Sequence, residues 1–292
     1  MHAKRNLARS WKYPNNRSVT TTSRSKLNTL LTQVPSGTPV TSEGLAQEGV
    51  SADLAVHYVR AKWLRRLARG VFVRPDTPLQ RDPSVLLLQQ QIPGLHVGGK
   101  TALDWHGVRH YVSEEPKLHL YGLKSTRLPV WFTDSFPGDY HRKQIFSSDA
   151  TGMKHVASFQ GRPNRPNVSD PERAFLELLS EVGVRQPLAE ARELAESTYS
   201  FRASVLVELL RECTNVKTVR LCLQLGRDLS LPWAKKLDPA LLPTGSDRPW
   251  VSRTREGLLV LGTGTSTPAV APRVRTPARS KVQQNSKDRK MH

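Results

Sequence analysis

SADLAVHYVRAKWLRRLARGVFVRP, residues 51–75, decides how the chain is read. Ser51 is a helix-capping residue. Asp53 follows in the first turn, where a carboxylate meets the positive end of the helix dipole. At about 100° per residue, Leu54, Tyr58 and Ala61 share one face and Ala52, Val56 and Arg60 share another. Trp63, Leu64 and Leu67 begin a strand, Arg69 and Gly70 make a tight turn, and Val71, Phe72 and Val73 return before Pro75. Arg60, Lys62, Arg65, Arg66, Arg69 and Arg74 face a single acid, Asp53. A helix with a polar outer face, running into a basic hairpin, has the pattern of a recognition helix and its wing.

Upstream, Ser25 can cap a helix through about Val34, PSGTP at 35–39 is a turn, and Thr41 or Ser42 caps a short helix, SEGLAQEG, that stops at Gly49. Three helices and a hairpin over residues 25–80 predict a winged helix-turn-helix. In that arrangement Ala52, Val56 and Arg60 lie near base edges. Lys62, Arg65, Arg66 and Arg69 lie near phosphates, and His57 sits at the border. The same module could instead dock a protein, with its basic face solvated.

Composition is consistent with a polyanionic partner. The 292 residues carry a formal net charge of +19. Residues 1–26 hold seven Lys/Arg and no acid, and residues 271–292 hold seven Lys/Arg and only Asp288. Thirteen of the nineteen excess charges therefore lie in two polar ends, expected to be disordered basic tails at 1–24 and 257–292. The folded part is mildly basic, so the placement of its cations matters more than their number. No apolar run is long enough to span a membrane, and the basic start, MHAKRNLARSWKYPNN, lacks the apolar core of a secretory signal. Cys213 and Cys222 are too few for a disulfide framework and lack metal-ligand spacing. A reducing cytoplasm is the expected compartment.

Residues 81–256 read as a second, larger region of mixed α/β character. Helices are expected over 85–91 and 100–110, a new element at His96, and strands over 117–121 and 130–132. Residues 133–168 read as loop or weak strand. Helical periodicity then recurs from Asp170 through DPERAFLELLSEV, residues 188–197, SFRASVLVELLREC and VKTVRLCLQLGRD.

Two motifs in this region invite chemistry. Gly94 to Thr101 fits the spacing G-x-x-x-x-G-K-[ST] of a phosphate-cradling loop, which would make the chain a nucleotide-binding protein. But Gln89-Gln90-Gln91-Ile92-Pro93 stands where the hydrophobic strand should precede it, so a glycine turn opening a packed helix is expected. His106 and His110, four apart, with His119 downstream, have the spacing of metal ligands, but no Glu completes a zinc-protease pattern and Gly107 weakens the helix. No metal, no cofactor and no catalytic constellation is predicted.

The order of GTPVTSEGLA, SADLAVHYVRAKWL, RGVFVRP, GGKTAL and HY, followed by LPVWF, DPERAFLELL, CTNVKTVRLCLQL and LPWAKKLD, resembles the AbiEi-type abortive-infection antitoxins from about residue 25 to about 248. The segment WVSRTREGLLVLGTGTSTPAV departs from that family's ending, a short strand after a Gly-rich turn. The resemblance implies a fold of α/β (α+β) class, with the N-terminal winged helix followed by a larger mixed α/β antitoxin domain. It implies a phage-defence protein, not an enzyme, whose winged helix represses its own operon on double-stranded operator DNA. The second domain would counteract a nucleotidyltransferase toxin encoded alongside. Such systems are of type IV, in which a stable antitoxin–toxin complex is not required. Two molecules per operator would follow from paired sites.

Overall fold

The computed structural model describes residues 32, 34–75, 77–109, 117–147, 153–254 and 257–262. The basic ends, most of the helix expected over 25–34, and His110 lie outside them. The chain divides into two compact units between Leu87 and Leu88.

In the first unit, β1 (Val40–Thr41) leads into α1 (Ser42–Gln47), α2 (Ala52–Arg60), β2 (Arg65–Ala68) and β3 (Val71–Val73). The caps are those the sequence predicts. Thr41 Oγ1 accepts from the Gly44 N–H at 3.1 Å, and Ser51 Oγ accepts from the Leu54 N–H at 3.3 Å. Gly70 has φ +72°, the left-handed conformation that lets β2 turn into β3 within two residues. The hairpin is joined by a strand the sequence does not announce: β1 pairs antiparallel with β3, giving the order β1-β3-β2. A two-residue strand carries no periodicity from which to read it. Val34, Leu45, Val50, Ala55, Tyr58, Leu64 and Phe72 form the core of this unit. Leu54 and Tyr58 face inward as expected. Ala61 does not, because it caps the helix and is exposed.

The second unit is built on a five-stranded mixed sheet in the order β6-β5-β4-β8-β7. Its strands are β4 (His96–Val97), β5 (Leu118–Gly122), β6 (Gly138–Arg142), β7 (Val156–Ser158) and β8 (Asn167–Ser169). β5 runs parallel to β6, and β4 runs parallel to β8. Between and after the strands come α4 (Gly99–Trp105), α5 (Val130–Thr133), α6 (Pro171–Glu181), α7 (Leu188–Glu196), α8 (Ala203–Arg211) and α9 (Val216–Asp228); α3 (Arg81–Gln91) spans the division between the units. α6 is the central helix, packed against α4, α7, α8 and α9, with Glu172 through Glu181 all buried. Its last carbonyls are satisfied by a buried cation: Lys217 Nζ donates to Ser180 O at 2.8 Å and Val182 O at 2.7 Å. The basic group sits where the helix dipole is negative.

Two expectations are corrected and a third is made specific. Residues 130–132 are not a strand but part of α5. Pro129, with φ −60°, is its N-cap, and an apolar run this short has no period to separate strand from helix. Residues 133–168, expected as loop or weak strand, hold β6 and β7 and the start of β8. β6, GDYHR, is an edge strand with polar residues, so it lacks the apolar alternation that marks a strand in sequence. The start of the tail expected from 257 is instead a strand, β10 (Gly257–Leu261), which pairs along its length with β9 (Trp250–Thr254). Leu259 and Leu261 are buried, and β10 packs on α9. Arg220 of α9 binds the segment from beneath: Nε donates to Thr244 O at 2.7 Å, Nη1 to Arg248 O at 2.8 Å and Leu261 O at 3.2 Å, and Nη2 to Ser246 O. The Gly/Thr-rich run that follows GLLVL obscured this strand in the sequence.

Candidate nucleic-acid interface

The outer face of α2 follows from its inner one. Burial of Ala55 and Tyr58, with Leu54 and Val59 packed beside them, turns Ala52, Asp53, Val56, His57 and Arg60 to solvent at helical spacing. Beyond the helix, Lys62 takes a left-handed backbone, φ +62°, that reverses the chain. The amides of Trp63 and Leu64 both donate to Tyr58 O, at 2.9 and 3.2 Å, and tie the corner to the helix end. Leu64 drops into the core and Trp63 stays 44% exposed.

The hairpin then presents its cations. Arg65 pairs with Val73 and Arg66 with Phe72, and the register shifts at Leu67 before Ala68 meets Val71. This bulge lies just past two successive arginines that are both exposed on the edge strand of the small sheet. Arg66 Nε donates to Ala68 O at 3.3 Å, which fixes the side chain along the strand. All eight predicted contact residues, Ala52, Val56, His57, Arg60, Lys62, Arg65, Arg66 and Arg69, are exposed. No described carboxylate lies within ion-pair distance of Arg60, Lys62, Arg65, Arg66 or Arg69. The result is a contiguous run of cations on one helix end and one ribbon, with Val56 beside them as an apolar contact, 46% exposed.

The apparent phosphate loop is occupied by the protein itself. The Gly99 N–H, at the start of α4, donates to Glu177 Oε2 at 3.1 Å, and a Cβ on Gly98 would stand 2.2 Å from the same oxygen. Lys100 Nζ is paired with Glu190. Thr101 Oγ1 donates to Lys117 O at 3.0 Å and accepts from the His119 N–H at 2.9 Å. Glu177 also meets His96 Nε2 at 2.9 Å, Arg173 Nε at 2.8 Å and Ser169 Oγ at 2.9 Å. Burial alone would raise its carboxyl pKa. His96 and Arg173, with the hydrogen bonds from His96 and Gly99, reverse this and bring it down to about 2. A carboxylate of the chain thus fills the anion position, and Gly94 to Thr101 is a packing element rather than a nucleotide site.

Of the histidines with that spacing, the described pair, His106 and His119, have different partners. His106 Nε2 meets Ser169 O at 3.0 Å, and its ring lies edge-on to Phe159. His119 stands elsewhere, with His141 and Asp139. Sequence reasoning missed that grouping because it depends on the pairing of two strands. Among the described residues, no helix is long and apolar enough to cross a membrane. Both cysteines are buried and free, and burial pushes the Cys213 thiol up to about 11.

Residues 23–114 match the family model described as the N-terminal domain of the AbiEi antitoxin transcriptional regulator. Residues 115–263 match the model described as transcriptional regulator, AbiEi antitoxin, type IV toxin–antitoxin system. No curated protein sequence matches the chain. Among solved structures, the crystal structure of the RV2827C protein from Mycobacterium tuberculosis shares the fold. Its TM-score is 0.52 at 16% identity, covering 81% of this chain and 90% of that one. The two family matches between them run from residue 23 to residue 263, and the chain belongs to the AbiEi antitoxins, transcriptional regulators of type IV toxin–antitoxin systems.

Proposed function

We propose that this AbiEi antitoxin acts in the cytoplasm as a repressor of its own operon, binding double-stranded operator DNA through α2 and the β2–β3 wing. One observation carries the proposal: the exposed cations of residues 60–69 have no described carboxylate partner, and they adjoin a helix face free of packing. Ala52, Val56 and Arg60 would face base edges, with Val56 suited to a thymine methyl. Lys62, Arg65, Arg66 and Arg69 would neutralise phosphates, and His57 would stand between the two sets. Two molecules would occupy paired half-sites. The second unit would counteract a nucleotidyltransferase toxin without a stable complex. A gel shift on the promoter upstream of its own gene tests the DNA contact. Arg60→Ala with Arg66→Ala should abolish the shift in a folded protein, and unchanged binding overturns the assignment.

A second reading, a protein-docking module, has one observation in its favour: Trp63 and Val56 are both large, apolar and exposed. Salt separates the two. Phosphate contacts weaken steeply as salt rises, whereas an apolar contact survives.

A further inference from the structure

We propose that His119, Asp139 and His141 form a binding site for one divalent cation of the zinc class. The parallel register of β5 and β6 places His119 opposite Asp139 and Tyr121 opposite His141. Positions 119 and 121, like 139 and 141, share one side of their strands because side chains alternate. On that side, His119 Nδ1 lies 3.0 Å from His141 Nε2, and one ligand atom from each of His119, Asp139 and His141 lies within 4.8 Å of the others. With metal–nitrogen bonds of about 2.0–2.1 Å, two nitrogens 3.0 Å apart subtend an angle of roughly 90–95° at the ion. That angle leaves coordination positions open beside the carboxylate. Two imidazoles and one carboxylate favour zinc and its neighbours over magnesium or calcium.

The surroundings hold the donors in place. The His141 ring is buried and stacks on Tyr121, with centroids 4.6 Å apart at 15°. Its far nitrogen, Nδ1, lies 3.5 Å from Glu181 Oε1, the relation by which a carboxylate orients a metal-bound imidazole. That oxygen is buried and already lies 3.3 Å from Lys143 Nζ, so a proton on Nδ1 would give it a second partner. Arg185 Nη1, 3.1 Å from the same nitrogen, belongs to a side chain more than half exposed and can withdraw. Asp139 is exposed and gives the ion a route from solvent. Lys100, Lys143 and Arg185 near the site are matched in number by Asp139, Glu181 and Glu190, so local charge does not repel a dication.

The test is a zinc titration of the full metal-free chain against a chromophoric chelator, with Co²⁺ absorption as a second readout. One tight site per chain is expected. Asp139→Asn and His119→Gln, at exposed and half-buried positions, should each weaken it on the order of tenfold or more while circular dichroism is unchanged. Failure of the wild-type chain to bind zinc stoichiometrically overturns the proposal. So does undiminished affinity in both variants, which would leave His119 and His141 as a hydrogen-bonded pair and no more.

Discussion

Two sets of cations, one in each unit, have opposite fates. In the first unit, Arg60, Lys62, Arg65 and Arg69 point into solvent with no described carboxylate beside them. In the second, Arg173, Lys217 and Arg220 are buried, and each is bonded inside the fold: Arg173 to Glu177, Lys217 to the carbonyls ending α6, Arg220 to carbonyls of the C-terminal segment. A buried cation that already has its partners has little left to offer a ligand, whereas an exposed one without them keeps its field for an external anion. The contrast separates an open cationic surface from an interior built for stability, though the residue types are the same.

The sharpest way to break this comparison is to disturb the interior. Removing Glu177 leaves Arg173 and His96 buried without their carboxylate and strips the Gly99 amide of its acceptor. Glu177→Ala should cost about 3–5 kcal/mol, a large share of an ordinary domain's stability. Urea unfolding of the whole chain measures it. A loss under 1 kcal/mol would mean the network is dispensable.

Acid tests the same network without mutation. The Glu177 carboxyl lies at about 2 in the fold, against an ordinary value of 4.5. Between these values the unfolded chain binds the proton and the folded chain does not. The stabilisation is therefore complete above about pH 5 and is lost as pH falls toward 2, amounting to about 3 kcal/mol. Urea midpoints should fall over that range. Glu177→Gln, which cannot titrate, should show a shallower profile than wild type. Parallel profiles would remove Glu177 as the cause.

How much of this could be read in the sequence depended on the range of the contacts. α6, α8 and α9 were legible because their apolar residues recur at 3.6-residue spacing, and the wing because Gly70 sits between alternating residues. β1 is two residues long, β4 showed only its start at His96, and the polar β6 hides its strand character. The basic face of α2 was legible too, since a helix positions its own neighbours. What sequence could not separate was Arg220 from Arg60. Arg220 is bonded to carbonyls 24 to 41 residues away, and nothing local marks it. His119, Asp139 and His141 were hidden for a similar reason: they meet only through the register of two parallel strands.

On the open surface the expected effects are smaller in energy and specific to binding. Arg60→Ala should cost about 1–3 kcal/mol of operator affinity if it reaches a base edge, and should relax preference at that position. Arg65→Ala or Arg69→Ala should weaken all sequences alike and lower the log-salt slope by about one. Unfolding should stay within about 0.5 kcal/mol of wild type in each, since none of these side chains is packed. Fluorescence anisotropy over a salt series separates the two classes. If all three variants behaved alike, the proposed division between base-reading helix and phosphate-binding wing would fail.

The smallest effect belongs to Lys100, the residue the sequence made most conspicuous. It lies outside the buried network, although its neighbour Gly99 is part of it. Its ion pair with Glu190 is partly exposed, with side chains 43% and 29% accessible. Such pairs contribute about 0–1 kcal/mol, and burial by itself would raise the Glu190 carboxyl, which the bonds from Lys100 and Gln186 hold below its usual range. Lys100→Ala should therefore shift the urea midpoint slightly, leave operator binding unchanged, and alter no affinity for ATP or GTP, because Glu177 already occupies the anion position. Nucleotide binding by the wild-type chain that Lys100→Ala abolished would reverse the comparison, making the second unit the one that reaches outward.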